Sequence, residues 1–340
     1  MSDGKRAVDS DKVWTCLITN NDYLPGLLTL DYSLKSVGSA YPLVVLYTDG
    51  FPASGIAALD ARGIPRQRIK YLMPAAGGKD YSNDPRFYDC WSKLVPFSLT
   101  QYKRIVQLDT DMLVLRNMDE LMDLELDNPE EAAAETVLPG ANGTSPEAPL
   151  AAPAKTRRVF AAGHACVCNP LGKAHYPRDW TPANCAFTSQ HADPEAAQTT
   201  APAPGTAAAG PLGFMNGGLQ VVNPSAALFA QIVAHMDADA ARMDFADQSL
   251  LSGLYAGRWV ALPYVYNALK TLRWHGVHAP LWRDDRVKNV HYILAPKPWD
   301  KEDESAAAGG RDDPARGWWL ETNARRKRSE KLQGLNDDGW

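Results

Sequence analysis

The sequence lacks a basic excess, a cysteine framework and any long apolar run, and each lack removes a class of function. With 35 Lys and Arg against 40 Asp and Glu, its formal net charge is −5, so it has no positive balance to neutralise a nucleic-acid backbone or anionic lipid headgroups. No apolar stretch reaches bilayer-spanning length, and the opening MSDGKRAVDSDKVW holds no apolar segment of the signal-peptide kind. The cysteines Cys16, Cys90, Cys166, Cys168 and Cys185 are too few, and odd in number, for a disulfide framework. A reducing, cytoplasmic setting is expected, with neither nucleic acid nor membrane as partner. Asn142, Gly143 and Thr144 form a glycosylation sequon, which matters only in a secreted chain and is read as chance. Neither an internal repeat nor a heptad seam is found.

What is present suits a globular protein: 340 residues, 45% of them hydrophobic, is enough for one large core or two modest ones. VWTCLITN (13–20) is a β-prone run that ends at Asn20, Asn21 and Asp22. Helical spacing of Leu24, Leu27, Leu28 and Leu34 follows, and then a buried strand in YPLVVLYTDG (41–50). Strand, helix, strand predicts a parallel α/β start. Residues 86–101 read as helix despite Pro96, and RIVQL (104–108) as a further strand. Two helices are expected over 225–257, and a late strand in 286–299. The expected organisation is a flexible terminus (1–12), one domain (13–300) and a charged tail (301–340) with Trp318 and Trp319. Within the domain, 128–156 and 189–211 are Ala/Pro/Gly/Thr-rich and read as mobile surface insertions.

Chemistry concentrates at strand ends. Asp109 and Asp111 follow RIVQL directly, at the carboxyl end of a strand where open α/β sheets bind ligands. Two carboxylates one residue apart offer hard oxygen ligands to a divalent cation and leave positions for phosphate oxygens. Alone, the pair is a weak signal that better suits a strand-ending turn. His291 ends the late strand and Lys297 follows in its loop, giving an imidazole for a metal and an ammonium for phosphate. Cys166, Cys168 and Cys185, with His164 or His175, offer donors for a closed zinc site, although the irregular spacing fits buried free thiols better.

Seven segments then occur in one order: TNNDY, WSKLVPFSLTQY, RIVQLDTDMLVL, FMNGGLQVV, FADQSLL, LPYVYN and VHYILAPKPW. Together they resemble family 8 glycosyltransferases over about residues 13–300, most strongly the galactinol synthase branch and also the glycogenins. SAYPLVV, the Cys166 and Cys168 segment, Trp274 with His275, and Trp318 with Trp319 point to that branch. The resemblance implies a GT-A fold, Rossmann-like α/β with a mostly parallel sheet flanked by helices. It also implies a UDP-hexose donor, a manganese-type cation and retention of anomeric configuration. Position by position, Asp109, Asp111 and His291 match the metal ligands, with Thr110 between the two carboxylates, and Lys297 matches a contact to the donor phosphates. Leu17, Thr19, Asn20 and Tyr23 match the uridine pocket, Tyr23 as the stacking ring. Lys93 matches a lysine near the donor sugar, while Asn216, Gly217, Asp244, Asp247 and Gln248 match groups around the transferred hexose. Asp244, Asp247, Gln248 and Lys93 form the expected catalytic set.

The resemblance therefore implies a retaining transferase that moves galactose or glucose onto a small polyol such as myo-inositol. The alternatives are a protein or glycan acceptor, as in glycogenin, and a silent sugar-nucleotide binder. Glycogenin glucosylates its own tyrosine between the YN segment and the metal histidine, whereas residues 267–290 here contain no Tyr. Family members commonly carry a small residue, often Gly, where this chain has Leu294, so the donor loop is expected to close differently. Because family members are often dimers, a homodimer is the expected assembly.

Overall fold

A computed structural model describes residues 4–75, 77–136, 155–202, 213–300, 314–335 and 338–340. The main sheet runs β3 (Arg66–Arg68), β2 (Leu43–Tyr47), β1 (Lys12–Ile18), β4 (Arg104–Leu108), β7 (Met215–Val222), β6 (Phe160–His164), β8 (Val260–Ala261). From β3 to β4 the strands are parallel, β7 is antiparallel to both β4 and β6, and β8 is parallel to β6. A second sheet places β10 (Asn289–His291) between β5 (Met112–Val114) and β9 (Ala268–Leu269).

Unbroken apolar runs form the central strands because both sheet faces are covered. In β1, Trp14, Cys16 and Ile18 pack into one core with α1 (Leu24–Ser36) and α2 (Ala53–Ala61), while Val13 turns to the opposite face. The far half of the sheet packs against α5 (Ala226–Asp239) and α6 (Ala246–Leu254) through Phe160, Met215, Leu228, Ile232 and Leu250.

One expectation is corrected. The helix read over 86–101 is α only in α3 (Arg86–Cys90) and continues as a 3-10 helix, Trp91–Ser98. Pro96 lies inside it, and proline has no N–H to sustain α-helical bonding. The stretches read as mobile insertions have defined structure where they are described. α4 (Pro129–Ala134) is capped by Asn128, which accepts from the N–H groups of Glu130 and Glu131, and its Ala132 and Ala133 are buried. In the second stretch, the buried Gln198 donates to the Leu281 carbonyl at 2.8 Å. Residues 137–154 and 203–211 of these stretches, with the sequon, lie outside the described residues, as do 301–313 and 336–337 of the tail. The rest of the tail holds α7 (Pro314–Leu332), with Trp319 and Arg326 each 1% exposed. Arg326 bonds Glu330 at 2.7 Å and the Trp340 carbonyl at 2.7 Å, and Thr29 of α1 donates to Asn323 at 3.1 Å. No helix among the described residues is long and apolar enough to cross a membrane.

Candidate active site

Strand register assembles the site. Asp109 continues past β4 by donating its N–H to the Gly218 carbonyl of β7 at 2.8 Å. Asp111 then leads into β5, which pairs antiparallel with β10 so that His291 faces Met112. A bond from Tyr292 N–H to the Asp111 carbonyl at 2.9 Å extends that pairing. One carboxylate oxygen each from Asp109 and Asp111 and a ring nitrogen of His291 thus lie within 4.8 Å of one another. His291 Nε2 stands 3.6 Å from Asp109 Oδ2 and 3.2 Å from Asp111 Oδ1.

A hydrogen-bond chain fixes which nitrogen of His291 carries the proton. Gly218 N–H donates to Asn216 Oδ1 at 3.0 Å, so that oxygen is an acceptor. Asn267 Nδ2 donates to the same oxygen at 2.9 Å, which turns Asn267 Oδ1 toward His291 Nδ1, also at 2.9 Å. Nδ1 therefore donates to Asn267, and Nε2 faces the two carboxylates, where its lone pair would serve a bound cation, the arrangement of a metal-ligating histidine with its supporting partner. Two hard oxygens and an imidazole suit a manganese-type cation, so the residues fit the expected group.

Each carboxylate also holds a lysine. Lys93 Nζ lies 2.6 and 2.8 Å from the two Asp109 oxygens. Burial opposes the charge of this lysine, but Asp109 outweighs it and raises the pKa above its ordinary value. Lys297 pairs with Asp111 and donates to the Tyr292 carbonyl at 2.8 Å. Burial alone would push the Asp111 carboxyl up, yet Lys297 and His291 together hold it well below the usual carboxylate range.

The cluster sits between two adjoining cavities of about 160 and 150 Å³ that share Asp84, Arg86, Phe87, Asp109 and Asp111. Leu17, Thr19, Asn20, Tyr23, Lys93 and Thr110 line one of them. Thr19 donates to Asp89 at 2.7 Å, and Asn20 caps the turn after β1 by accepting from Asp22 N–H at 3.0 Å. Lys297 Nζ lies 5.7 Å from the Tyr23 ring centroid, a cation–π contact, and Trp299 meets that ring edge-on at 5.9 Å. Trp299 in turn packs on Trp319 of α7, ring centroids 5.4 Å apart, so the tail helix backs the loop after β10.

Asn216, Gln248, His291, Lys297 and Leu294 line the second cavity. Gln248 Oε1 accepts from Gly217 N–H at 2.8 Å and from Asn216 at 3.2 Å. The paired glycines permit close approach, because a Cβ on Gly217 would lie 2.3 Å from Asp247 Oδ2 and one on Gly218 2.3 Å from His291 Cε1. Leu294 keeps a left-handed backbone (φ 64°), the conformation glycine adopts freely.

Of the expected catalytic set, Asp247 and Gln248 meet at Gly217 and Lys93 acts electrostatically on Asp247, whereas Asp244 stands apart. Asp247 is buried behind Gly217 with Gln220 donating to it at 3.3 Å, and burial pushes its carboxyl up to about 7. Asp244 is ion-paired with Lys79, its side chain 41% exposed, and it lines neither cavity. The sequence reading missed Asn267, although LPYVYN contains it, and the Asp84–Arg86 pair at 2.6 Å. It also missed Trp180 stacked on Phe245, ring centroids 4.5 Å apart, which no periodic pattern announces.

The family model for glycosyl transferase family 8 matches residues 15–303. Galactinol synthase 1 of Solanum lycopersicum is 24% identical over 286 residues, 84% of this chain and 72% of that protein. Galactinol synthase 1 of Ajuga reptans is 24% identical over 308 residues, 90% of this chain and 79% of that protein. Among solved structures, galactosyltransferase LgtC in complex with donor and acceptor sugar analogs matches with a TM-score of 0.52 at 14% identity, covering 92% of this chain and 96% of that one. The apo bifunctional glycosyltransferase WbbM matches with a TM-score of 0.54 at 15% identity, covering 94% of this chain and 52% of WbbM, so this chain spans about half its length. The structural likenesses show the GT-A fold. The chain belongs to glycosyltransferase family 8.

Proposed function

We propose that this family 8 transferase moves galactose or glucose from a UDP-sugar onto a small polyol such as myo-inositol, with retention of configuration. The observation that carries this reading is the meeting of Asp109, Asp111 and His291 Nε2 beside Lys297. A manganese-type cation held by those three residues would neutralise charge developing on the diphosphate leaving group. Lys297, now paired with Asp111, is placed to turn to the phosphates. Tyr23 is the stacking surface for the uracil ring, with Leu17, Thr19 and Asn20 beside it and Thr110 on the same wall. Lys93, Asn216 and Gln248 offer hydrogen-bonding groups to the hexose hydroxyls, with Gly217 holding Gln248 in place.

Neither Asp244 nor Asp247 opens onto the cleft, which favours same-face attack over a covalent intermediate at either carboxylate. The acceptor oxygen bonds to the anomeric carbon as the carbon–oxygen bond to phosphate breaks, and the acceptor proton passes to the leaving phosphate oxygen. The galactinol synthase relatives support a polyol acceptor. Purified protein with manganese and a panel of UDP-sugars, with and without myo-inositol, tests this by UDP release and product mass. A hexosyl-inositol from one donor is expected. Release of UDP without that adduct would replace the acceptor, and no cation-dependent release from any donor would overturn the transferase reading.

A further inference from the structure

A second group of metal-ligating side chains lies beside the cleft, remote in sequence from the carboxylates. Cys166 and Cys168 follow β6, Cys185 sits between the short 3-10 turns Pro182–Asn184 and Ala186–Ala192, and His278 comes from the loop after the turn Lys270–Arg273. Three sulfurs and one ring nitrogen of these residues lie within 4.8 Å of one another. His278 Nε2 is 3.1 Å from Cys168 Sγ and 3.2 Å from Cys185 Sγ. Cys185 and His278 are 2% and 1% exposed, and Cys166 and Cys168 are half-buried.

Spacing along the chain had pointed to His164 or His175 for the fourth position, and the structure gives it to His278. His164 packs on Trp259 with centroids 4.9 Å apart, and burial lowers its pKa to about 4; His175 packs on Tyr176 at 5.0 Å. His278 lies 93 residues beyond Cys185, so only the folded chain reveals it.

We propose that Cys166, Cys168, Cys185 and His278 bind one zinc ion in a closed structural site. Three thiolates and an imidazole are a donor set that zinc takes in tetrahedral geometry, with Zn–S of about 2.3 Å and Zn–N of about 2.0 Å. Those lengths set sulfur–nitrogen separations of about 3.6 Å, so His278 Nε2 needs to move only roughly half an ångström from the Cys168 and Cys185 sulfurs. Four protein ligands leave no position for water or substrate, which makes the role structural. The supporting contact is present as well. His278 Nδ1 lies 2.9 Å from His191 Nε2, so with Nε2 given to the metal, Nδ1–H donates to His191 and fixes the ring.

The surrounding chain has need of such a tether. Between β6 and residue 202, the described residues form no strand and no α-helix, only short 3-10 turns. That irregular segment nevertheless supplies Ala165, Cys166, Tyr176 and Trp180 to the cleft wall. Zinc would tie both of its halves to the loop that carries His278, holding the wall without entering the reaction.

The test is elemental analysis with zinc-edge X-ray absorption on full-length protein, expressed with zinc and purified under reducing conditions without chelator. We expect one zinc per chain in a shell of three sulfurs and one nitrogen, retained in Asp111→Asn and reduced to background in Cys185→Ser and His278→Ala. Wild-type protein without stoichiometric zinc, or with zinc in a shell lacking sulfur, would overturn the proposal whether or not the variants fold. So would zinc that stays in a folded Cys185→Ser variant and leaves Asp111→Asn.

Discussion

Replacing Asn267 with alanine removes the acceptor that keeps the proton on His291 Nδ1. The lost bonds are the 2.9 Å contact to Nδ1 and the 2.9 Å donation to Asn216 Oδ1. Asn216 Oδ1 keeps the Gly218 N–H at 3.0 Å, so the main orphan is His291 Nδ1–H, on a residue that is 3% exposed. The ring can then move its proton to Nε2 and present N–H instead of a lone pair to the carboxylates, which opposes a cation. Loss of such an outer partner costs roughly 10–100-fold in metal affinity, or about 1.4–2.7 kcal/mol, in line with about 1–3 kcal/mol for an unsatisfied buried donor. The assay is a manganese titration of UDP release at saturating donor. The midpoint should rise by roughly 10–100-fold, with most of the maximal rate recovered at high cation, and circular dichroism should show the fold intact. An unchanged midpoint in a folded variant would refute the tautomer argument.

Gly218→Ala would set a Cβ 2.3 Å from His291 Cε1 and 2.9 Å from Met112 Cε; displacing the ring by about an ångström should lower UDP release by roughly 10²-fold, and wild-type turnover would show that its placement is not limiting. Asp247 is pushed up to about 7 from an ordinary 3.8, so the native carboxyl stays protonated where the unfolded chain ionises. Its contribution to stability is complete below about pH 4 and is lost as pH rises through about 7, roughly 4 kcal/mol in all. Thermal melting of Asp247→Asn should show a flatter decline between those pH values, and an unaltered decline would reject that assignment. Trp319→Ala removes a buried ring behind Trp299 and should cost roughly 3–5 kcal/mol in denaturant unfolding. Weaker UDP binding should accompany it, whereas unchanged UDP affinity would separate α7 from the donor pocket.

Much of the parallel half of the fold was legible because β1, β2 and β4 are short apolar runs buried on both faces, and Asp109 and Asp111 stand directly after one of them. In the antiparallel half the run at β7 was legible as a strand, but its place in the sheet was not. That β7 lies between β4 and β6, with a register shift at Ala162/Gly163, is a tertiary choice without local sign. His291 was nameable from its segment, but its meeting with Asp111 depends on β5 pairing with β10. Asn267 was hidden because a single amide in a loop carries no spacing signal until its partners are seen. The helix in the charged tail was obscured by its own buried face, where Ala315, Trp319, Thr322 and Arg326 recur at helical spacing but mix apolar with polar groups. Arg326 is buried there because Asn323, Glu330 and the Trp340 carbonyl meet its guanidinium.

The most direct test of the central claim is UDP release from a UDP-hexose by chelator-stripped wild-type protein and by Asp111→Asn, each with and without added manganese. The account predicts release by wild type only with the cation, and background release by a folded variant under both conditions. Equal release with and without manganese, or an Asp111→Asn variant as active as wild type, would contradict it.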